Sequence, residues 1–245
     1  MIDTRNQRLQ VSLFRAFDLS LEQKPSNVSW ESAACLATSG MTALQALRLG
    51  QPVVNGERIL INGASGGVGS FALQIAHHMG AHVTGVCSAK NVELVRSLGA
   101  DVVIDYTTES VEALSAGSKY DRILDLAGRP GWRKLLSPHG TYVAVALPYP
   151  NSECVPCALC CVTCSPWCCC CLSSRKSLAM MQSVNQADLQ ELTTMLSEGT
   201  LRVVVGRQLE GMSELPDALS AHRAARVEGK TVVMFDVEAE KMRRE

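Results

Sequence analysis

Ser65, Gly66, Gly67, Val68 and Gly69 close a run of small residues that begins at Gly63-Ala64. Residues this small let the main chain approach a ligand, and amides at the start of a following helix attract negative charge. The chemistry implied is the cradling of a phosphate or diphosphate. About 20 residues further on, where a dinucleotide site selects its ribose, the chain reads Cys87-Ser88-Ala89-Lys90-Asn91. A hydroxyl and an ammonium stand there in place of an Asp or Glu. Without a carboxylate there is no repulsion toward a second phosphate, and Ser88 and Lys90 are suited to bind one.

These groups need elements to hold them. Arg58-Ile59-Leu60-Ile61-Asn62 is a short β-branched run that predicts a buried strand. Val68, Phe71, Ala72, Ile75, Ala76 and Met79 recur at helical spacing on one face. Strand, glycine turn and helix in that order form the start of a dinucleotide-binding unit. Ala64, Gly66 and Gly69 occupy the places of G-x-G-x-x-G, with alanine first. The preferred reading is NADPH over NADH. The alternatives are a tight turn with no ligand, and a Lys90 that is simply solvated.

Further strands are expected near 82–87, 101–104, 121–125 and 141–146, with helices between them and Gly80, Gly99 and Gly140 at the joints. A helix is expected from about Ser29 to Leu49, with Ser29 as its cap. The tail predicts a helix near 186–198, a strand near 201–205, a helix near 214–225 and a strand near 230–236. Such βα alternation gives an α/β fold with a doubly wound parallel Rossmann sheet, its ligand crevice at the carboxyl ends of the strands.

Several stretches together resemble the zinc-independent quinone oxidoreductase branch of the medium-chain dehydrogenase/reductase superfamily. They are Ser32-Ala33-Ala34-Cys35-Leu36 through Met41-Thr42-Ala43-Leu44-Gln45-Ala46-Leu47, the glycine turn, and Leu98-Gly99-Ala100-Asp101-Val102-Val103-Ile104-Asp105-Tyr106. Asp121-Arg122-Ile123-Leu124-Asp125, Gly140-Thr141-Tyr142-Val143 and Gly229-Lys230-Thr231-Val232-Val233 complete the likeness. The resemblance implies that Ser65, Gly66, Gly67 and Val68 touch a pyrophosphate and that Ser88 and Lys90 lie near an adenosine 2′-phosphate. It implies that Tyr106 flanks the same adenosine and that Thr42 approaches the nicotinamide side. Tyr106 as a strand-end aromatic and Thr42 as a helix hydroxyl bonded to its own backbone stay open beside those roles.

The family's substrate domain begins with a small β-barrel, and about 30 residues before the shared helix are too few for one. The expected organisation is an N-terminal remnant at 1–28, a Rossmann domain at 29–150, a Cys-rich insertion at 151–178 and a completing segment at 179–245. The substrate domain is thus expected to be truncated and incomplete. In the zinc-dependent relatives the catalytic ligands come largely from that region. No His-Glu pair or Cys/His cluster replaces them near the N-terminus, so no catalytic metal is expected.

A net charge of −1 with interspersed signs gives no basic stripe for nucleic acid. No run of about 18 strictly apolar residues reads as a membrane span. A cytoplasmic location is expected; Arg5, Arg8 and Arg15 near the start are faintly like a mitochondrial presequence. Nine of the eleven cysteines fall between Cys154 and Cys171, which marks that tract as a separate feature. Cys154, Cys157, Cys160 and Cys164 have the spacing of a ferredoxin run, but no second run exists to complete the pattern. The preferred reading is a variable apolar insertion, with peripheral membrane or partner contact through cysteine lipidation beside Arg175 and Lys176 as second. Asp105 and Asp125, at strand ends, read as turn residues. His77 and His78 are adjacent and cannot share a metal.

Two functions remain in view. One is an NADPH-dependent reductase delivering hydride to a quinone or an α,β-unsaturated carbonyl compound. The other is a catalytically impaired NADPH-binding scaffold or sensor. The expected partners are a small carbonyl or quinone substrate and, for a homodimer, a second copy of the chain.

Overall fold

The β-branched runs form strands as expected, and Gly63, Gly80 and Gly99, all at positive φ, sit in the turns between elements. The computed structural model describes residues 22–110, 119–128, 131–145, 176–223 and 228–234. The Cys154–Cys171 tract, Arg175 and the arginines of the first 17 residues lie outside the described residues.

Six strands form one parallel sheet: β1 (Arg58–Asn62), β2 (His82–Cys87), β3 (Val102–Asp105), β4 (Tyr120–Asp125), β5 (Leu136–Ala144) and β6 (Lys176–Ala179). Their order is β3-β2-β1-β4-β5-β6. The winding direction reverses between β1 and β4, and such a switch point opens a ligand crevice at the carboxyl ends. β1 pairs with β2 from Arg58↔His82 to Asn62↔Val86 and with β4 from Ile59↔Arg122 to Asn62↔Asp125. Four of its five residues are buried, the pattern of a strand covered on both faces. Period-2 alternation divides them. Ile59 and Ile61 join Leu44, Leu47, Phe71 and Ile75 on one side, while Leu60 joins Ile123, Trp132 and Leu135 on the other.

The helices that cover the first face are α1 (Trp30–Arg48) and α2 (Gly69–His78), with α3 (Val92–Ser97) following β2. Ser29 caps α1, its side chain accepting from the Ser32 amide at 3.2 Å. α4 (Gln186–Ser197) docks on α1, where Arg48 reaches Glu191 at 2.6 Å. Close approach is possible there because Gly40 has no side chain: a Cβ would lie 3.2 Å from Leu192. Beyond it, β7 (Val205–Glu210) pairs in parallel with β8 (Lys230–Met234), joined through α5 (Leu215–Arg223). No helix among the described residues is long and apolar enough to cross a membrane.

Three expectations need correction. The strand placed near 201–205 starts only at Val205; Leu201 is buried, and Val203 and Val204 pack on the main core. Between β4 and β5 the described residues carry one short 3₁₀ turn, Trp132–Leu135, rather than an α-helix. Gly140 lies inside β5, where a Cβ would come within 2.8 Å of Leu136, so it permits packing rather than ending the strand. The sheet also gains β6, whose four residues straddle the boundary drawn at 178.

Arg122 is the largest fully buried side chain of the described residues, an unusual place for a guanidinium. Its Nε donates to Glu57 Oε1 at 2.8 Å, and its terminal nitrogens donate to the carbonyls of Leu49 and Gln51 at 2.9 Å. Glu57 Oε2 accepts from the Val54 amide at 3.0 Å. The pair therefore fastens the 49–57 connection to β4. Replacing Arg122 with methionine leaves a buried carboxylate without its counter-charge and is expected to destabilise the fold by about 3–5 kcal/mol. Denaturant unfolding measures this, and a loss below about 1 kcal/mol would contradict the role given to the pair.

Candidate functional site

At the end of β1 the chain must turn sharply and enter α2. Gly63 makes the turn at φ 87°, and the amides of Gly63 and Ala64 both donate to the Val86 carbonyl at 3.2 and 3.0 Å. The turn is thereby anchored to β2. Gly69, the first residue of α2, lies against it: a Cβ there would sit 2.2 Å from the Gly63 carbonyl oxygen and 2.8 Å from Ala64. Only hydrogen fits. This contact brings the helix start over the end of β1.

The amide of Gly66 donates to Gly63 at 3.1 Å, whereas the amides of Gly67, Val68 and Gly69 have no acceptor among the described residues. The cap residue Val68 supplies no side-chain acceptor, and the first turn of α2 has no acidic residue. Three donors therefore lie at the positive end of the helix dipole, with nothing among the described residues accepting from them. A Cβ on Gly66 would meet only the Gly63 oxygen, at 3.3 Å, so its outer side is open to a ligand.

The end of β2 stands beside this turn. Asn91 is buried, and its side-chain nitrogen donates to Ser65 Oγ at 2.8 Å. Its Oδ1 has no partner, an orphaned buried acceptor at the rim of the turn. Ser88 is half-buried and its carbonyl accepts from the Asn91 amide at 2.9 Å. The Tyr106 amide donates to the Cys87 carbonyl at 3.1 Å, which brings the end of β3 to the same place. Cys87 itself is inert: burial, and then the neighbouring Asp105, push its thiol up to about 11. Asp105, half-buried at the end of β3, is held below the usual carboxylate range by the Thr107 hydroxyl and amide.

Across the switch point, Asp125 ties three strand ends together. Its Oδ1 accepts from the Asn62 side chain at 2.7 Å and from the amides of Ala127 and Gly128 at 3.2 and 2.9 Å. Its Oδ2 accepts from the Tyr142 hydroxyl at 2.5 Å. Burial and the Asp125 charge hold the Tyr142 phenol far above the ordinary tyrosine range, so it stays a donor. The turn reading of Asp125 covered only the two amides.

A third contributor comes from far down the chain. The Gly229 amide donates to the Ser65 carbonyl at 2.9 Å, forming a bridge between Gly66 and Gly229. Lys230 lays its methylenes over Gly67, where a Cβ would come within 2.6 Å of Lys230 Cδ. Lys90 Nζ lies 3.1 Å from Glu228 Oε1.

The model of the zinc-binding dehydrogenase family matches residues 98–233, more than half of the chain. The chain belongs to the medium-chain dehydrogenase/reductase superfamily, in its quinone oxidoreductase-like branch. It is 33% identical over 222 residues to a chloroplast envelope quinone oxidoreductase homolog of Arabidopsis thaliana, covering 86% of this chain and 64% of that one. It is 47% identical over 113 residues to the mitochondrial NAD(P)H oxidoreductase RTN4IP1 of Mus musculus, covering 44% and 28% respectively. The structure of the quinone oxidoreductase from Coxiella burnetii superposes with a TM-score of 0.73 at 28% identity, covering 88% of this chain and 63% of that one. The chain thus spans less than two thirds of the length of these relatives. Despite the family's title, no group of three or more His, Cys, Asp or Glu residues among the described ones is placed to hold a metal.

The residues singled out in the sequence therefore divide. Ser65, Gly66, Gly67, Val68, Gly69, Ser88, Lys90 and Tyr106 gather at the ends of β1, β2 and β3. Thr42 does not share in those contacts. Its Oγ1 lies 2.7 Å from the Thr38 carbonyl in its own helix and 3.1 Å from Gln182 Oε1, and its one proton serves one of them at a time. Asn91, Tyr142 and Glu228 escaped the reading of the sequence. Asn91 had a visible signal, an amide one residue past the Ser-x-Lys group; Glu228 had none.

The two inner glycines separate folding from binding. Gly69→Ala is expected to lower stability by at least about 2 kcal/mol, because its Cβ meets immovable main chain. Gly66→Ala should cost clearly less. Thermal unfolding of the two variants is the measurement, and a Gly69→Ala protein as stable as its parent would remove the close approach as the feature that sets the turn.

Proposed function

We propose that the chain binds NADPH across the glycine turn and serves as an NADPH-dependent reductase of quinones or α,β-unsaturated carbonyl compounds. One observation carries this reading: three unengaged amides at the start of α2 face an open turn, beside a strand end that offers Ser88 and Lys90. The amides of Gly67, Val68 and Gly69 suit a diphosphate. Ser88 and Lys90 suit a 2′-phosphate, and the unpaired Asn91 Oδ1 suits a hydroxyl donor. The residues present fit a pyridine nucleotide.

When bound, the nicotinamide supplies the hydride, and the protein's part is to bind, orient and stabilise charge. The Asp125 clasp holds the Ala127 and Gly128 amides in place at the crevice. Ser65 is held by Asn91 through its side chain and by Gly229 through its carbonyl, so the turn keeps its shape before any ligand arrives. No acid among the described residues is assigned as the proton donor to the reduced carbonyl; water serves in that role. The likeness to quinone oxidoreductases supports the reading, as does the kinship with a protein named for NAD(P)H.

The test is a fluorescence titration with NADPH and NADH, followed on the same sample by oxidation of NADPH in the presence of small quinones and enones. Saturable NADPH binding with turnover is expected. Binding without turnover leaves the chain as a nucleotide-binding scaffold, and absence of binding removes the proposal. Lys90→Glu should weaken NADPH by at least about 10-fold while changing NADH much less, since only the former loses a charge-assisted contact. An equal loss for both would refute the assignment of Lys90 to the 2′-phosphate.

A further inference from the structure

The end of β2 lacks the carboxylate that would select an unphosphorylated ribose, yet a carboxylate is there. Glu228, from the segment leading into β8, places Oε1 3.1 Å from Lys90 Nζ. Its backbone is held in place. The next residue, Gly229, is hydrogen-bonded to Ser65 and bridged to Gly66, and the Lys230 amide donates to Val204 at 2.8 Å. The backbone of Glu228 is therefore fixed to the glycine turn itself. Lys90 is its only ion-pair partner among the described residues.

We infer that Glu228 is a specificity-determining residue for the coenzyme, supplying from the far end of the chain the acid that β2 omits. The inference rests on the reading that the glycine turn binds a pyridine nucleotide. Its physics is a competition of two anions for one ammonium. A 2′-phosphate reaching Lys90 must draw it away from Glu228 or sit beside an uncompensated carboxylate. A 2′-hydroxyl carries no charge, meets no such repulsion and finds an acceptor. Glu228 thus opposes the phosphate that Lys90 attracts, and the balance between them sets the NADPH-to-NADH ratio. Both side chains are about half exposed, so the pair is weak on its own and opens readily. That makes Glu228 a tuner of affinity and not a barrier to entry.

Calorimetric titration of the full chain with NADPH, NADH and 2′,5′-ADP tests this without reference to turnover. Glu228→Gln should tighten NADPH and 2′,5′-ADP by about 3–10-fold and leave NADH unchanged or weaker. The same substitution in a Lys90→Gln background should change NADPH by less than about 2-fold, because the shared ammonium is gone. Glu228→Asp, with its carboxylate drawn back from Lys90, should fall between parent and Gln. If the parent binds NADPH but Glu228→Gln leaves the NADPH-to-NADH ratio unaltered, the inference fails and the nucleotide site stands. If the parent binds neither coenzyme, the nucleotide reading fails and the inference falls with it.

Discussion

The contact between Gly69 and the Gly63 carbonyl governs this molecule. With hydrogen as its only side chain, Gly69 lets the first turn of α2 settle onto the end of β1, closer than any Cβ would allow. That approach has two results. It seats Phe71, Ala72 and Ile75 against the β-branched face of the sheet, where most of the buried apolar surface lies. It also leaves the amides of Gly67, Val68 and Gly69 with no carbonyl to meet among the described residues. The packing that stabilises the domain and the polar vacancy that suits a diphosphate are produced by one interatomic distance.

Charge inside the fold follows a similar economy. The buried Arg122–Glu57 pair secures a connection, with each polar atom directed at a backbone or side-chain partner. Asp125 is as deeply placed and likewise fully engaged, but it lies at the switch point and its partners belong to two other strands and the loop that follows its own. One network is remote from the crevice amides and the other borders them. Their chemistry is alike; only position separates a structural clasp from one that shapes a ligand site.

Much of this was legible in the sequence because it is local. The strand at Arg58–Asn62, the turn and the helix are encoded by hydrophobic period and by small residues at fixed offsets, and the parallel sheet follows from strand–helix alternation. What escaped was set by distant contacts. Val203 and Val204 have strand-like side chains but serve the main core, and the strand begins only at Val205. β6 is too short for periodicity to register, and its pairing with Thr141–Ala144 creates it. Glu228 is an ordinary acid in an ordinary stretch until Gly229 is seen bonded to Ser65.

That last bond carries a consequence for biosynthesis. The glycine turn, its strand and its helix lie together within residues 58–78 and have all their local instructions there. The strip from Glu228 to Lys230 that lies across it is made more than 150 residues after the turn. A growing chain thus holds an uncovered cradle until that strip emerges, and maturation of the pocket waits on closure of a loop of more than 150 residues between Ser65 and Gly229.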